Sequence, residues 1–166
     1  MRYNQIREMD ITNGIGIGVS LFVQGCTHHC KGCFNPETWD FNNGKEWTKE
    51  VENEFIELCK MPHIDFISIL GGEPFDQDNH LLSVLLKKIK RETNNKDIYV
   101  WSGYTFDESD FLSENYEGIF NYVDYLIDGE FQLDKRDLNL KLRGSSNQRI
   151  IDVKESLKQD KIITIE

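Results

Sequence analysis

The strongest constraint on the fold is an alternation of short apolar runs with amphipathic stretches, each run closing on a turn that contains glycine. Residues 19–23 read as a buried strand ending at Gly25, and residues 66–70 as a second strand closed by Gly71-Gly72-Glu73-Pro74. Residues 98–101 form a third, ending at Ser102-Gly103, and residues 123–127 a fourth, ending at Asp128-Gly129. Between them lie helical signals. Thr48 is placed to cap a helix with Glu50 and Glu52 in its first turn and Val51, Phe55, Leu58 and Cys59 on one face, stopped by Pro62. Residues 79–91 turn Leu82, Leu85, Leu86 and Ile89 inward, and shorter helices are expected over 107–112 and 116–121.

Strand, helix, strand is the signature of an α/β protein with a parallel sheet and right-handed crossovers. In such sheets ligands sit at the carboxyl ends of the strands. A chain of 166 residues falls short of the roughly 250 that a full eight-stranded barrel takes. The expectation is one domain over 1–166: an open partial (β/α) barrel with its core at about 13–130, then an irregular segment with short strands at 149–153 and 161–165.

The chemistry is concentrated in Cys26, Cys30 and Cys33, spaced C-x3-C-x2-C directly after the first strand. A structural zinc site takes four ligands, and no fourth is evident. A [4Fe–4S] cluster held by three thiolates keeps one iron open for a substrate. Zinc, completed by His28, His29 or Cys59, stands as the alternative, although Cys59 belongs to the apolar helical face and the two histidines read as cluster cover or solvent-facing groups. Gly71 and Gly72 let the backbone approach a ligand, Pro74 donates no hydrogen bond and so leaves carbonyls free, and Glu73 adds charge. Gly14-Ile15-Gly16-Ile17-Gly18 is not G-x-G-x-x-G and precedes a strand, so it reads as flexible backbone near the cluster rather than a nucleotide loop.

The net charge of −10 argues against non-specific nucleic-acid binding. With no apolar signal segment and no membrane-length run, a cytoplasmic location is expected, where cysteines serve metal or redox chemistry. The one basic concentration is Lys135, Arg136, Lys141, Arg143 and Arg149. A solvated face is its ordinary reading, and docking or anion contact the sharper one. Asp128 is open between a cation ligand and a turn former.

The cysteine motif followed by Gly71-Gly72-Glu73-Pro74 resembles the radical S-adenosylmethionine superfamily. Ser20-Leu21-Phe22-Val23-Gln24-Gly25-Cys26, Cys33-Phe34-Asn35-Pro36, Trp101-Ser102-Gly103-Tyr104, Ile127-Asp128-Gly129 and Arg143-Gly144-Ser145-Ser146-Asn147-Gln148-Arg149 narrow it. Together they resemble the activating proteins of anaerobic (class III) ribonucleoside-triphosphate reductases, from about Asn13 to Asp152. Two departures stand out. Gly32 holds the position before the third cysteine where the superfamily often has an aromatic, and Phe34 follows instead, as in this family. Ile15 and Gly18 stand where the family's G-P-G-x-R has proline and arginine.

The resemblance implies an oxidoreductase that cleaves S-adenosylmethionine at a [4Fe–4S] cluster on Cys26, Cys30 and Cys33 and installs a glycyl radical on the large reductase subunit. It also implies an external reductant, flavodoxin. The amino group of S-adenosylmethionine would meet carbonyls around Gly71, Gly72 and Glu73, its adenine would lie near Gly32, Cys33 and Phe34, and Ser102 would contact the methionine or ribose end. The alternatives are another short radical-S-adenosylmethionine enzyme, either a pyruvate formate-lyase-type activase or one with a small-molecule substrate, and a non-catalytic zinc module in an interaction protein.

Overall fold

A computed structural model describes residues 1–107 and 114–166. Its frame is one mixed sheet of eight strands in the order β3-β1-β2-β4-β5-β6-β7-β8. The four strands expected from sequence form its parallel centre: β2 (Gly18–Val23), β4 (Phe66–Gly71), β5 (Asp97–Trp101) and β6 (Tyr125–Asp128). Antiparallel strands flank them. β1 (Arg2–Asp10) pairs with β2, and β7 (Arg149–Asp152) pairs with β6. The margins are two-residue strands, β3 (Lys45–Glu46) beside β1 and β8 (Thr164–Ile165) beside β7. Such short edges leave little backbone open to pairing with another chain. The sheet does not close on itself.

Strand pleating sends alternate side chains to opposite faces. Val19, Leu21, Val23, Ile67, Ile69, Ile98, Val100 and Leu126 make the main core with α1 (Lys49–Cys59) and α2 (Asn79–Glu92). Phe55, Ile56 and Cys59 of α1 and Leu82, Leu85, Leu86 and Ile89 of α2 supply the helical side. The helices start where expected. Thr48 Oγ1 accepts from Val51 N at 3.2 Å, and an Asp78 carboxylate oxygen accepts from Leu81 N at 3.0 Å. Lys96 Nζ donates to the carbonyls of Cys59 and Met61, both at 2.8 Å, and so ends α1 electrostatically ahead of Pro62. The other face of the sheet carries Phe66, Tyr99, Ile127 and Ile150, with Trp101 and Leu142 packed on them.

Four strands and one helix depart from the expectation. β1 buries only Tyr3 and Asp10, so no apolar alternation announces it, and its pairing with β2 decides its conformation. The strands expected at 149–153 and 161–165 are shorter, because Asp152 caps a helix, α4 (Val153–Gln159), by accepting from Glu155 N at 3.0 Å. The strand expected at 123–127 begins two residues later. Asp124 is held there by the buried Lys90 ammonium and by Ile98 N. The helix expected over 116–121 is α3 (Glu114–Phe120), whereas the one expected over 107–112 lies outside the described residues after Asp107. Among the described residues no helix is long and apolar enough to cross a membrane.

Gly14 and Gly18 do not lie near the cysteines. A Cβ on either would fall within 2.4 Å of the Phe66 ring, at the amino ends of β2 and β4. Ile17 N donates to an Asp65 carboxylate oxygen at 2.9 Å, and Asp65 N to Ile17 O at 2.6 Å. This glycine run seals the end of the sheet opposite the cysteine loop.

Candidate functional site

The parallel strands β2, β4, β5 and β6 bring Cys26, Gly71-Gly72-Glu73, Ser102-Gly103 and Asp128-Gly129 to one end of the sheet. The exit of β2 is held tightly. Gln24 is fully buried, and its side-chain amide donates to the carbonyls of Glu37 at 2.9 Å and Asp40 at 2.7 Å, folding the loop after the cysteines back onto the strand. Gly72 N donates to Val23 O and Glu73 N to Gly25 O, both at 2.9 Å. A Cβ on Gly72 would lie 2.4 Å from Gly25 O, and one on Gly71, whose φ is +100°, would lie 2.7 Å from Phe22 Cα. The two glycines therefore serve the close approach of β4's end to the cysteine strand.

Cys26, Cys30 and Cys33 line one cavity of about 130 Å³ together with Gly71, Gly72, Glu73 and Ser102. All three are free thiols and partly exposed, and Asn35 N donates to Cys33 Sγ at 3.3 Å. Burial, aided by the charges of Glu73 and Asp76, pushes the Cys26 thiol up to about 11, and burial with the charge of Glu130 raises Cys30. A nucleophilic cysteine needs the opposite shift. Among the described residues no three His, Cys, Asp or Glu side chains converge as a single-ion site requires. Cys59 is fully buried in the main core, its thiol raised to about 12 by burial.

Not every expected contact lines this cavity. Pro74 is buried at the start of a single 3-10 turn, Pro74–Asp76. Gly32, with φ +77°, makes room for Leu133, whose Cδ1 would lie 2.8 Å from a Cβ there. Phe34 is 53% exposed and leans on Phe131 with ring centroids 5.0 Å apart.

Glu73 knits the rim. Its buried carboxylate accepts from Phe75 N (3.1 Å) and Ser102 Oγ (2.8 Å) at Oε1, and from Gly103 N (2.7 Å) and His28 Nε2 (3.0 Å) at Oε2. The other nitrogen of His28 meets Glu130 Oε1 at 2.9 Å. The bond to Glu73 outweighs burial and pushes the imidazolium of His28 up to about 9. His28 also packs edge-on against Tyr104, whose hydroxyl donates to Asp76 at 2.7 Å. Asp76 in turn accepts from Thr27 N and Oγ1 at 2.9 and 2.8 Å. Residues 27 and 28 are thus fixed to the ends of β4, β5 and β6 at once. His29 stacks on Trp39 with centroids 4.6 Å apart.

The far end of the chain completes the rim. Asp128 accepts Arg149 Nε at 3.0 Å and Nη2 at 2.5 Å, a two-point contact, and also Phe106 N at 2.8 Å, so it acts as a turn anchor. Gln148 Oε1 accepts from Gly144 N and Ser145 N, and its amide donates to Gly129 O. This block folds the 131–148 segment over the open face of the sheet. Beneath it lies a second cavity of about 380 Å³, which shares Asn35, Leu70, Trp101, Phe131 and Gln148 with the cysteine cavity. Asp76 and Glu130 carry no signal as rim-builders in the sequence, whereas His28 lies between two cysteines and Tyr104 belongs to the strand-end turn Ser102-Gly103-Tyr104 expected to line the rim.

Comparison with known proteins follows the same line. A family model described as a 4Fe-4S single cluster domain matches residues 12–151. The chain is 38% identical over 153 residues to the anaerobic ribonucleoside-triphosphate reductase-activating protein of Vibrio cholerae, covering 90% of this chain and 97% of that one. Its counterpart in Escherichia coli strain K12 is 40% identical over 152 residues, with 89% and 96% covered. That of Enterobacteria phage T4 is 35% identical over 151 residues, with 90% and 93% covered.

Proposed function

This chain belongs to the family of anaerobic ribonucleoside-triphosphate reductase-activating proteins, and on that footing we propose that it activates the large subunit of such a reductase as a radical S-adenosylmethionine enzyme of the cytoplasm. A [4Fe–4S] cluster with S-adenosylmethionine bound supplies one-electron cleavage of the sulfonium bond and, through the 5′-deoxyadenosyl group, removal of a hydrogen atom from a glycine of the partner. On this reading the whole chain is one radical S-adenosylmethionine domain, its open sheet a partial (β/α) barrel.

The observation that carries the proposal is the single cavity lined by the three thiols and by Gly71, Gly72, Glu73 and Ser102. Cys26, Cys30 and Cys33 would hold the cluster. The carbonyls around Gly71 to Glu73 would receive the amino group of S-adenosylmethionine. Because the Glu73 carboxylate already accepts four hydrogen bonds, its contribution is to fix those carbonyls. Ser102 Oγ donates to Glu73 and accepts from Tyr104 N at 3.0 Å, so it faces the methionine or ribose end as an acceptor. Phe34, Cys33 and Gly32 would flank the adenine. Electrons come from an external carrier, flavodoxin in this reading.

Anaerobic reconstitution with iron and sulfide, followed by metal analysis, tests the first half. Four irons per chain with cluster absorption are expected, and one zinc with no colour would overturn the proposal in favour of an interaction module. Electron paramagnetic resonance tests the second half. The loaded chain, S-adenosylmethionine, a reductant and the large reductase subunit should yield a glycyl radical doublet. Its absence with a competent cluster and subunit would reject the reductase assignment.

A further inference from the structure

The basic concentration near the end of the chain has a location that the cysteine cavity does not use. The second cavity, about 380 Å³, runs under the 131–144 segment and is continuous in its lining with the cysteine cavity. Two guanidinium groups, Arg7 and Arg143, line it, and among the described residues its lining holds no aspartate or glutamate. In a chain of net charge −10 this is a local reversal of sign. Arg143 is incompletely paired: one Nη donates to Gln148 O at 3.2 Å, and its buried Nε has no partner among the described residues. Arg7 lies 4.8 Å over the Phe22 ring and 3.5 Å from Asp10. Asp10 also accepts from Thr12 N, Thr12 Oγ1, Asn13 Nδ2 and Ser20 Oγ, so its contact with Arg7 is limited to the 3.5 Å approach of one guanidinium nitrogen. The mouth is apolar, with Leu138 76% and Phe34 53% exposed, and Arg136 lies 5.4 Å over the Phe34 ring.

We propose that this trough seats a segment of the partner polypeptide that bears a carboxylate, with Arg143 and Arg7 as its anchors. The inference rests on the reading of the chain as an activase of a protein substrate. Guanidinium groups pair with carboxylates at two points, which fixes direction as well as position. A segment anchored at Arg143 has its neighbouring residues led along Phe131 and Trp101 toward the thiols, because those side chains line both cavities.

The test is the affinity of the full cluster-loaded chain for the full large reductase subunit, measured by calorimetry at low and at physiological salt. Arg143→Gln and Arg7→Gln should each raise Kd by about tenfold or more and flatten the salt dependence, with Arg143→Lys recovering part of the loss. Lys158→Gln on α4, which removes the same charge far from the trough, should change Kd by less than about twofold. Cluster absorbance and the thermal midpoint are read on every variant, and Arg7→Gln stands on its own if Arg143→Gln fails to fold. Wild-type binding with both arginine variants unchanged would overturn the inference and leave the activase reading standing. So would a loss confined to S-adenosylmethionine binding, which would assign the arginines to its carboxylate. Failure of the wild-type chain to bind the subunit would remove the partner reading itself.

Discussion

Replacing Glu73 with glutamine in the cluster-free chain separates a rim-builder from a ligand contact. The carboxylate accepts four hydrogen bonds, two at each oxygen, and the residue is 1% exposed. Glutamine keeps one acceptor and turns an NH2 group toward the other pair of donors. Facing Oε2's partners it opposes Gly103 N, and facing Oε1's partners it opposes Phe75 N. In either orientation one buried backbone N–H is orphaned, at about 1–3 kcal/mol, and the surviving bonds lose their charge assistance. The sum is about 3 kcal/mol, which for a chain of this size lowers Tm by about 6–12 °C. Ser102→Ala removes one donor to Glu73 and the acceptor of Tyr104 N, and should cost about 1–3 kcal/mol. The assay is anaerobic thermal unfolding by circular dichroism, with no iron, sulfide or S-adenosylmethionine added. A fall of less than about 2 °C for Glu73→Gln would refute the reasoning, since a residue that acts only on a bound ligand leaves the empty chain's stability alone.

Three further outcomes are expected. Gly72→Ala should cost about 1–3 kcal/mol and lower iron retention, because its Cβ would sit 2.4 Å from Gly25 O; wild-type melting and iron content would contradict the close approach. Cys59→Ser should keep full iron loading while costing about 1–3 kcal/mol for a hydroxyl in the apolar core, and loss of iron would move Cys59 into the cluster's ligand set. Burial alone would raise the Asp10 carboxyl, but hydrogen bonds from Ser20, Thr12 and Asn13 together bring it from 3.8 down to about 2. A folded value below the unfolded one stabilises the fold above pH about 4, and that contribution, about 2 kcal/mol, is lost as pH falls through about 2. Urea titrations of the cluster-free chain across that window should show a smaller acid loss for Ser20→Ala, and equal acid loss in the two proteins would contradict this account.

Much of the frame was legible because its elements carry local signals. The apolar runs that became β2, β4 and β5, and the capped helices α1 and α2, follow from period, cap and glycine. β1 and α4 were not legible. β1 has almost no buried side chains to set a period, and α4 depends on the Asp152 cap at the end of a strand that β6 selects. Among the site residues, the three cysteines and the glycine pair share one cavity, whereas Pro74, Gly32 and Phe34 lie at or beyond its margin. The glycine run before β2, expected beside the cysteines, lies at the other end because the parallel pairing of Gly18 with Phe66 places it there.

The sequence by itself determined which groups are available for chemistry: three thiols at C-x3-C-x2-C, a strand closing on two glycines, and a basic stretch in an acidic chain. Those are properties of spacing and residue type, which need no neighbour from elsewhere in the chain. Only the tertiary structure decided what each group faces. It spent the Glu73 carboxylate on holding three strand ends together, paired Asp128 with Arg149, tied His28 between two carboxylates, and left Arg7 and Arg143 in a trough with no acidic lining among the described residues. The hydrogen bonds behind these outcomes join residues as far as 21 to 102 positions apart, and a partner that distant in the chain is chosen by strand order rather than by any local preference of the backbone.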